Sequence, residues 1–366
     1  MIALQRIALF LVIIVFGSII LREGSFILVP LVWGVFFALS LHPISSWFEK
    51  KKFPRSIAII ISILMVAVIV TGIFYVLLNQ MVGLIRDIPE IGQNLQDKMS
   101  LYLDELNVIL GNQILDPGNR PEVWSFLTPE NFNTTLFNTG KSLTLTGIIP
   151  LYIFLLLYYE DFFLNFLIRF SSKNKDRVLN WVMESGKVIQ SYLTGMVKVT
   201  LIVAVMAGIF FYIIGVKYFL LFAAFIAIMN LIPYVGVFIS SFFAILYVFL
   251  TTDNLLFPFL TFGVLWAIQL FENNVITPLV VGSQVKVNAL AVILAILLGG
   301  WLWGISGMIL FIPLVGVLKI TFENSEGLEP FGFLLSDETM VPEQNQLLKK
   351  KFWKSLFEKN KIETDE

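Results

Sequence analysis

Eight long apolar runs leave this chain few folds to choose from. They are Ile7–Leu21, Phe26–Leu41, Ile57–Leu78, Leu145–Tyr159, Val197–Gly215, Phe219–Leu250, Leu255–Val281 and Ala289–Ile320. A helix crosses a bilayer with about 20 apolar residues, and every backbone group at that depth must find its partner within the protein. Composition agrees: 57% of the 366 residues are hydrophobic and 14% charged, where soluble domains have about 45–50% and 25%. The sequence therefore predicts an all-α integral membrane protein, a polytopic helical bundle.

Lys and Arg in the short loops set the orientation. Lys50, Lys51, Lys52 and Arg55 place the second loop in the cytoplasm, and Arg169, Lys173, Lys175, Arg177 and Lys187 do the same for the 160–190 loop. With a Lys-rich tail, both termini are expected inside, and the Arg22–Ser25 turn and the 80–144 insert outside. Arg6 and the run behind it look like the start of a signal peptide. Leu21-Arg22-Glu23-Gly24-Ser25 offers no small-residue cleavage site, so the run is read as a retained helix.

Within the insert, Leu84, Ile88, Ile91, Leu95, Met99, Tyr102, Leu106 and Ile109 recur at spacings of three and four, which predicts an amphipathic helix continuous with the third span. Asp116-Pro117-Gly118-Asn119 would break it. Its apolar stripe needs cover, from its own chain or from another subunit.

Two runs have an awkward length. Phe219–Leu250 and Ala289–Ile320 each hold 32 residues, and each breaks in the middle. The first break is Asn230-Leu231-Ile232-Pro233-Tyr234-Val235-Gly236; the second runs Gly299-Gly300-Trp301-Leu302-Trp303-Gly304-Ile305-Ser306-Gly307. Two half-length helices joined at a Pro/Gly break describe a re-entrant hairpin, allowed only where protein or water satisfies the broken backbone. The expected architecture is about six full spans plus two such hairpins, the second oriented opposite to the first as an inverted repeat. Corresponding broken segments of this kind point to a central binding site. Ala291, Ala295 and Gly299, and Gly300 and Gly304, follow a four-residue spacing that lets helix backbones approach closely.

Between the hairpins, Gln269-Leu270-Phe271-Glu272-Asn273-Asn274-Val275-Ile276-Thr277-Pro278 sets polar residues inside an apolar run. A carboxylate at the centre of a span costs at least about 2.5–3.5 kcal/mol, so Glu272 is a functional candidate by default. Gln269, Glu272 and Asn273 fall at i, i+3 and i+4, one face of an α-helix. Pro278 removes a backbone donor and frees a carbonyl near Asn274. Burial favours the protonated form of a carboxyl and a bound cation favours the ionised form, a simple basis for exchanging one for the other. Amide oxygens of Gln269, Asn273 and Asn274 suit Na⁺ or a polyol-like solute equally. Asn230 and carbonyls freed at Pro233 are candidates to complete the site, with a helix C-cap as the alternative for Asn230. Lys198, in the fifth span, is expected to snorkel to the surface.

Other chemistries fit poorly. The chain has no cysteine and a single histidine, His42, so it offers no thiolate and no His-rich metal site. Without a His-Glu-x-x-His motif or a nucleophile–base pair at depth, an intramembrane enzyme is not expected. Neither a resident metal, a cofactor nor a nucleic acid is expected.

Four motifs, in order, resemble the AI-2E family of bacterial permease-like proteins. They are Ser191-Tyr192-Leu193-Thr194-Gly195, Asn230 to Gly236, Glu272 to Pro278, and Gly304-Ile305-Ser306-Gly307-Met308-Ile309-Leu310-Phe311-Ile312-Pro313. The resemblance runs from Pro30 to about Phe322. It implies a multi-pass transporter of the inner membrane, oligomeric, exporting a small polar solute as in autoinducer-2 export or exchanging Na⁺ or Li⁺ for protons. Thr194 and Met196 stand where members often have Arg and Gln, and Asn288-Ala289 where many have His-Pro.

The predicted organisation is then three spans (1–79), an extracytoplasmic helical insert (80–144), a transport core (145–322) and a basic tail (323–366). In the tail, Lys349, Lys350, Lys351 and Trp353 read as an anchor on anionic lipid. Predicted coupling residues are Glu272, Asn273, Asn274, Gln269 and Asn230. The backbone breaks are Pro233, Gly236, Pro278, Gly299, Gly300, Gly304, Gly307 and Pro313. Tyr192, Gly195 and Lys198 form a cytoplasmic-side motif. The alternatives are a passive channel, and a membrane scaffold acting through the insert.

Overall fold

A computed structural model describes residues 2–110, 147–170, 175–233, 235–280 and 286–337. The Asp116–Asn119 break and the tail anchor lie outside these residues. Every regular element described is a helix. In order they are α1 (Ile2–Glu23), α2 (Ser25–Lys50), α3 (Arg55–Leu110), α4 (Gly147–Tyr158), α5 (Glu160–Phe170), α6 (Lys175–Ile213), α7 (Phe219–Met229), α8 (Val235–Thr251), α9 (Leu256–Phe271), a π-helical turn (Glu272–Ile276), α10 (Thr277–Val280), α11 (Ala289–Glu323) and α12 (Glu329–Leu335). Five stretches are long and apolar enough to cross a membrane, and a sixth if α4 and α5 are taken as one bent span. The chain is an all-α polytopic membrane protein.

The run Leu145–Tyr159 was expected to cross alone. Its described helix, α4, ends at Tyr158, and the chain then bends by 62° into α5. The bend frees the Leu157 carbonyl, and Arg55 takes it with Nε at 3.2 Å and Nη2 at 2.7 Å. The same guanidinium pairs with Asp161 and Glu160, and His42 Nε2 lies 3.3 Å from Glu160 Oε1.

The third span and the start of the insert are one helix, α3, 56 residues long despite Pro89. Its own chain covers at least part of its stripe, since Leu84 and Ile91 pack against the largest core. Polar contacts reinforce this. Gln80 Oε1 accepts from the Leu221 amide at 2.9 Å, in the first turn of α7. Asp87 Oδ2 lies 2.7 Å from Lys217 Nζ and accepts from the Tyr218 hydroxyl at 2.7 Å. Lys98 donates to the carbonyls of Phe249 and Thr252 at the C-terminus of α8, where a cation complements the helix dipole. Lys217 is thus paired while its side chain stays 66% exposed.

Both broken runs fold back on themselves. In the first, α7 and α8 lie antiparallel. Phe222 and Tyr247 rings sit 4.6 Å apart and Phe225 and Phe243 rings 6.4 Å apart, and at the tip a Cβ on Gly236 would collide with the Met229 carbonyl. In the second, α11 is continuous in hydrogen bonding yet turns at Trp303 and Gly304, where Gly304 has φ 58° and ψ −140°, a conformation essentially restricted to glycine. Gly299 and Gly307 then meet, so that a Cβ on either would overlap the other's carbonyl. In a straight helix, residues eight apart would be about 12 Å apart along the axis. The 35 residues of α11 are therefore two arms and not one long span.

Helix α6 is the axis against which both hairpins are measured. Tyr212 packs on Phe219, Phe211 on Phe222, and Gly208 against Ala223. The first hairpin thus has its base at the C-terminal end of α6 and points back along it. Trp181 Nε1 donates to Thr321 Oγ1 at 2.9 Å, Arg177 pairs with Glu326, and Tyr192 meets Ile309. The second hairpin therefore has its base at the N-terminal end of α6 and points the other way. At its tip, Trp303 Nε1 donates to the Leu21 carbonyl at 2.9 Å and Arg22 lies over the Trp301 ring, beside the C-terminal end of α1.

Candidate functional site

The π-helical turn packs against α6, in the core that holds Val199 and Val203 together with Ile268 and Ile276. A π turn needs each N–H to bond five residues back, and here the Thr277 amide donates to the Glu272 carbonyl. Pro278, with no N–H to continue the α-helical ladder, sits just beyond. Single π turns inside α-helices occur frequently at functional sites.

The turn controls what surrounds Glu272, whose residue is only 6% exposed. Gln269 Nε2 donates to Oε2 at 2.7 Å, and the Thr277 hydroxyl donates to Oε1. Thr277 is five residues away and reaches the carboxylate because the π turn brings i+5 over i. Among the described residues no Lys, Arg or His lies in ion-pairing range of Glu272. A buried carboxylate held by two neutral donors keeps lone pairs for a cation or for a proton.

The expected shared face narrows to one pair. Glu272 and Gln269 meet, but Asn273 and Asn274 are exposed on the protomer, and Asn274 Nδ2 donates back to the Leu270 carbonyl at 2.7 Å. Neighbouring residues on a helix point about 100° apart, so Asn273 faces outward when Glu272 faces the core. Asn230 occupies the C-cap of α7, its amide donating to the Ile226 carbonyl. The carbonyl that Pro233 frees, on Met229, accepts from the Ile232 amide at 2.9 Å.

The cytoplasmic-side motif divides. Tyr192 and Gly195 are buried in the seam of α2, α6 and α11, whereas Lys198 is exposed. Pro313 is fully buried in that seam's outer arm. Asn288 N-caps α11 through Oδ1 to the Ala291 amide and ties α12 down through Nδ2 to the Leu334 and Ser336 carbonyls.

Two features escaped the sequence reading. Thr277 was visible in the motif, but only a π turn gives it a role. Lys319 is buried, with Nζ 3.0 Å from Glu323 Oε1, and its i, i+4 carboxylate was the available signal. Among the described residues, no cluster of three or more acidic or His side chains could hold a metal.

The model of the AI-2E family of transporters matches residues 8–327. The chain belongs to that family. It is similar to two proteins each described as "Putative transport protein". YrrI of Bacillus subtilis (strain 168) is 26% identical, over 80% of this chain and 85% of the relative. YhhT of Escherichia coli (strain K12) is 25% identical, over 86% and 89%. The AI-2 transport protein TqsA of Escherichia coli (strain K12) is 24% identical over 89% of this chain and 93% of its own length. The AI-2E member described here is thus a membrane transport protein by family.

Proposed function

We propose that this protein moves a small polar solute or a monovalent cation across the bacterial inner membrane in exchange with protons, and that Glu272 is the group on which the exchange turns. The observation that carries the reading is a carboxylate buried in a candidate span, held by neutral donors only, on a π turn packed against α6. An intramembrane carboxylate without a fixed counter-charge is costly unless its charge is used. Protonation and cation binding are alternative ways of neutralising it, so each displaces the other. The hairpins would be re-entrant, with both termini cytoplasmic as the loop charges suggest. Export of autoinducer-2, the cargo named for TqsA, and Na⁺ or Li⁺ exchange both fit this chemistry.

The test uses proteoliposomes with a pH-sensitive dye inside and Na⁺ or Li⁺ added outside. Cation-driven proton movement in the wild type that is lost in Glu272→Gln supports the proposal. Equal movement in both removes Glu272 as the carrier. No proton movement in either sinks coupled exchange of these cations and favours uncoupled passage of an organic solute.

A further inference from the structure

Helix α5 has an arrangement that transport through the core does not require. None of its eleven residues is buried. Asp161, Asn165 and Arg169 follow at i, i+4 and i+8 and form a polar stripe, with Asn165 Nδ2 donating to the Asp161 carbonyl at 2.7 Å. Leu164, Leu167 and Ile168 are half-buried, and α5 packs on α6. The remaining face carries Phe162, Phe163, Phe166 and Phe170, which are 66%, 45%, 58% and 81% exposed.

We infer that α5 lies in the plane of the membrane interface, with Phe162, Phe166 and Phe170 inserted among lipid chains at the headgroup boundary. Three observations choose lipid as the occupant of this face. First, α5 continues a lipid-facing surface: Leu151, Leu155 and Tyr158 of α4 are exposed and lead directly into it. Second, the bend between the helices is 62°. Since membrane spans tilt by about 20° on average, a helix at that angle to a span runs mostly along the bilayer surface. At eleven residues it is about 16 Å long, well short of a crossing of about 30 Å. Third, its neighbours are those of an interface. Trp47 and Phe53 are exposed at the same end of the bundle, Lys51 Nζ lies 3.5 Å from the Trp47 ring centroid, and Tyr158 and Tyr159 flank the bend. Aromatic rings with adjacent cations mark the headgroup level.

Arg55 fixes the angle. By holding the Leu157 carbonyl together with Asp161 and Glu160 it satisfies the backbone broken at the bend and offsets one of the two negative charges at the start of α5. The acidic pair would otherwise repel an anionic leaflet. The helix then presents a polar stripe to water and an apolar face to lipid, as an interfacial amphipathic helix does.

Because the chain has no cysteine, single substitutions can carry a nitroxide without background. The protein is reconstituted in phosphatidylcholine/phosphatidylglycerol vesicles with labels placed one at a time through Asp161→Cys, Phe162→Cys, Asn165→Cys, Phe166→Cys, Arg169→Cys and Phe170→Cys. Collision with oxygen, which concentrates in lipid, is compared with collision with a water-soluble nickel chelate. The expected result is an alternation: oxygen dominates at 162, 166 and 170, and nickel at 161, 165 and 169, the ratio differing several-fold between 165 and 166. Nickel access at every position would overturn the inference by placing α5 in water. Labels at 162, 166 and 170 that are immobile and reached by neither reagent would overturn it in favour of a protein contact, such as a second copy of the chain.

Discussion

Tyr192 closes a gap that Pro313 opens. Proline gives the Ile309 carbonyl, four residues earlier, no amide to accept from, and the Tyr192 hydroxyl donates to that carbonyl at 3.4 Å. Two family motifs far apart in sequence thus meet in one contact, between α6 and the outer arm of the second hairpin. An interhelical hydrogen bond of this type is worth about 0.6 kcal/mol, so Tyr192→Phe should lower the melting temperature in detergent slightly. In a Pro313→Ala background, where an amide is restored, the same substitution should cost nothing measurable. An undiminished cost there would show that Tyr192 stabilises by packing alone.

The glycines of the second hairpin should respond unequally. Gly304→Ala forces an L side chain into a backbone region reserved for glycine, at a cost of about 1–3 kcal/mol. Gly307→Ala drives the arms apart at the Gly299 carbonyl and should cost at least as much, with transport lost. Gly263→Ala, where a Cβ would meet nothing within 4 Å, is the control and should leave melting and flux unchanged.

The carboxylate at Glu272 has two donors, and they can be removed separately. Thr277→Val or Gln269→Leu leaves one buried oxygen without a partner, a loss of about 1–3 kcal/mol, and each should weaken transport. If Thr277 acts through Glu272, adding Thr277→Val to Glu272→Gln should reduce flux no further. An additive loss in that double variant would give Thr277 a role of its own.

At the α3–α7 junction the pH dependence has a definite sign. The Asp87 hydrogen bond, followed by that of Tyr218, holds the Lys217 ammonium above its ordinary range. A raised value means the stabilisation is complete below the unfolded lysine value of about 10.4 and fades as pH rises through the folded one. Lys217→Met should therefore melt earlier than wild type at pH 8, and the difference should shrink in strongly alkaline buffer. A gap that widened with pH would rule out this pairing as its source.

Much of the fold could be read in advance because a bilayer imposes length and composition on each element. The Pro/Gly breaks at Pro233 and Gly304 announced chain reversals, and the spacing of Leu84 and Ile91 announced a helix packed on one face. What could not be read is backbone geometry that departs from the α period. The turn after Phe271 closes its hydrogen bond at i+5 and not at i+4, so Thr277 comes over Glu272 and joins the site. Pairings distant in sequence were equally hidden: Arg55 looked like a topology signal, and only the fold brings the Leu157 carbonyl 102 residues away to its guanidinium.

The unbroken length of α3 has a consequence for how the chain tolerates change. Its early part carries the third span, while Gln80, Asp87 and Lys98 engage successive parts of the first hairpin's base. One residue inserted before Gln80 would turn all three by about 100° and advance them by about 1.5 Å. Seven would restore the facing to within about 20° yet shift the contacts by about 10 Å. No small insertion satisfies both requirements, so α3 works as a fixed gauge. The depth at which the hairpin's base is held is counted out in residues, and the count cannot drift.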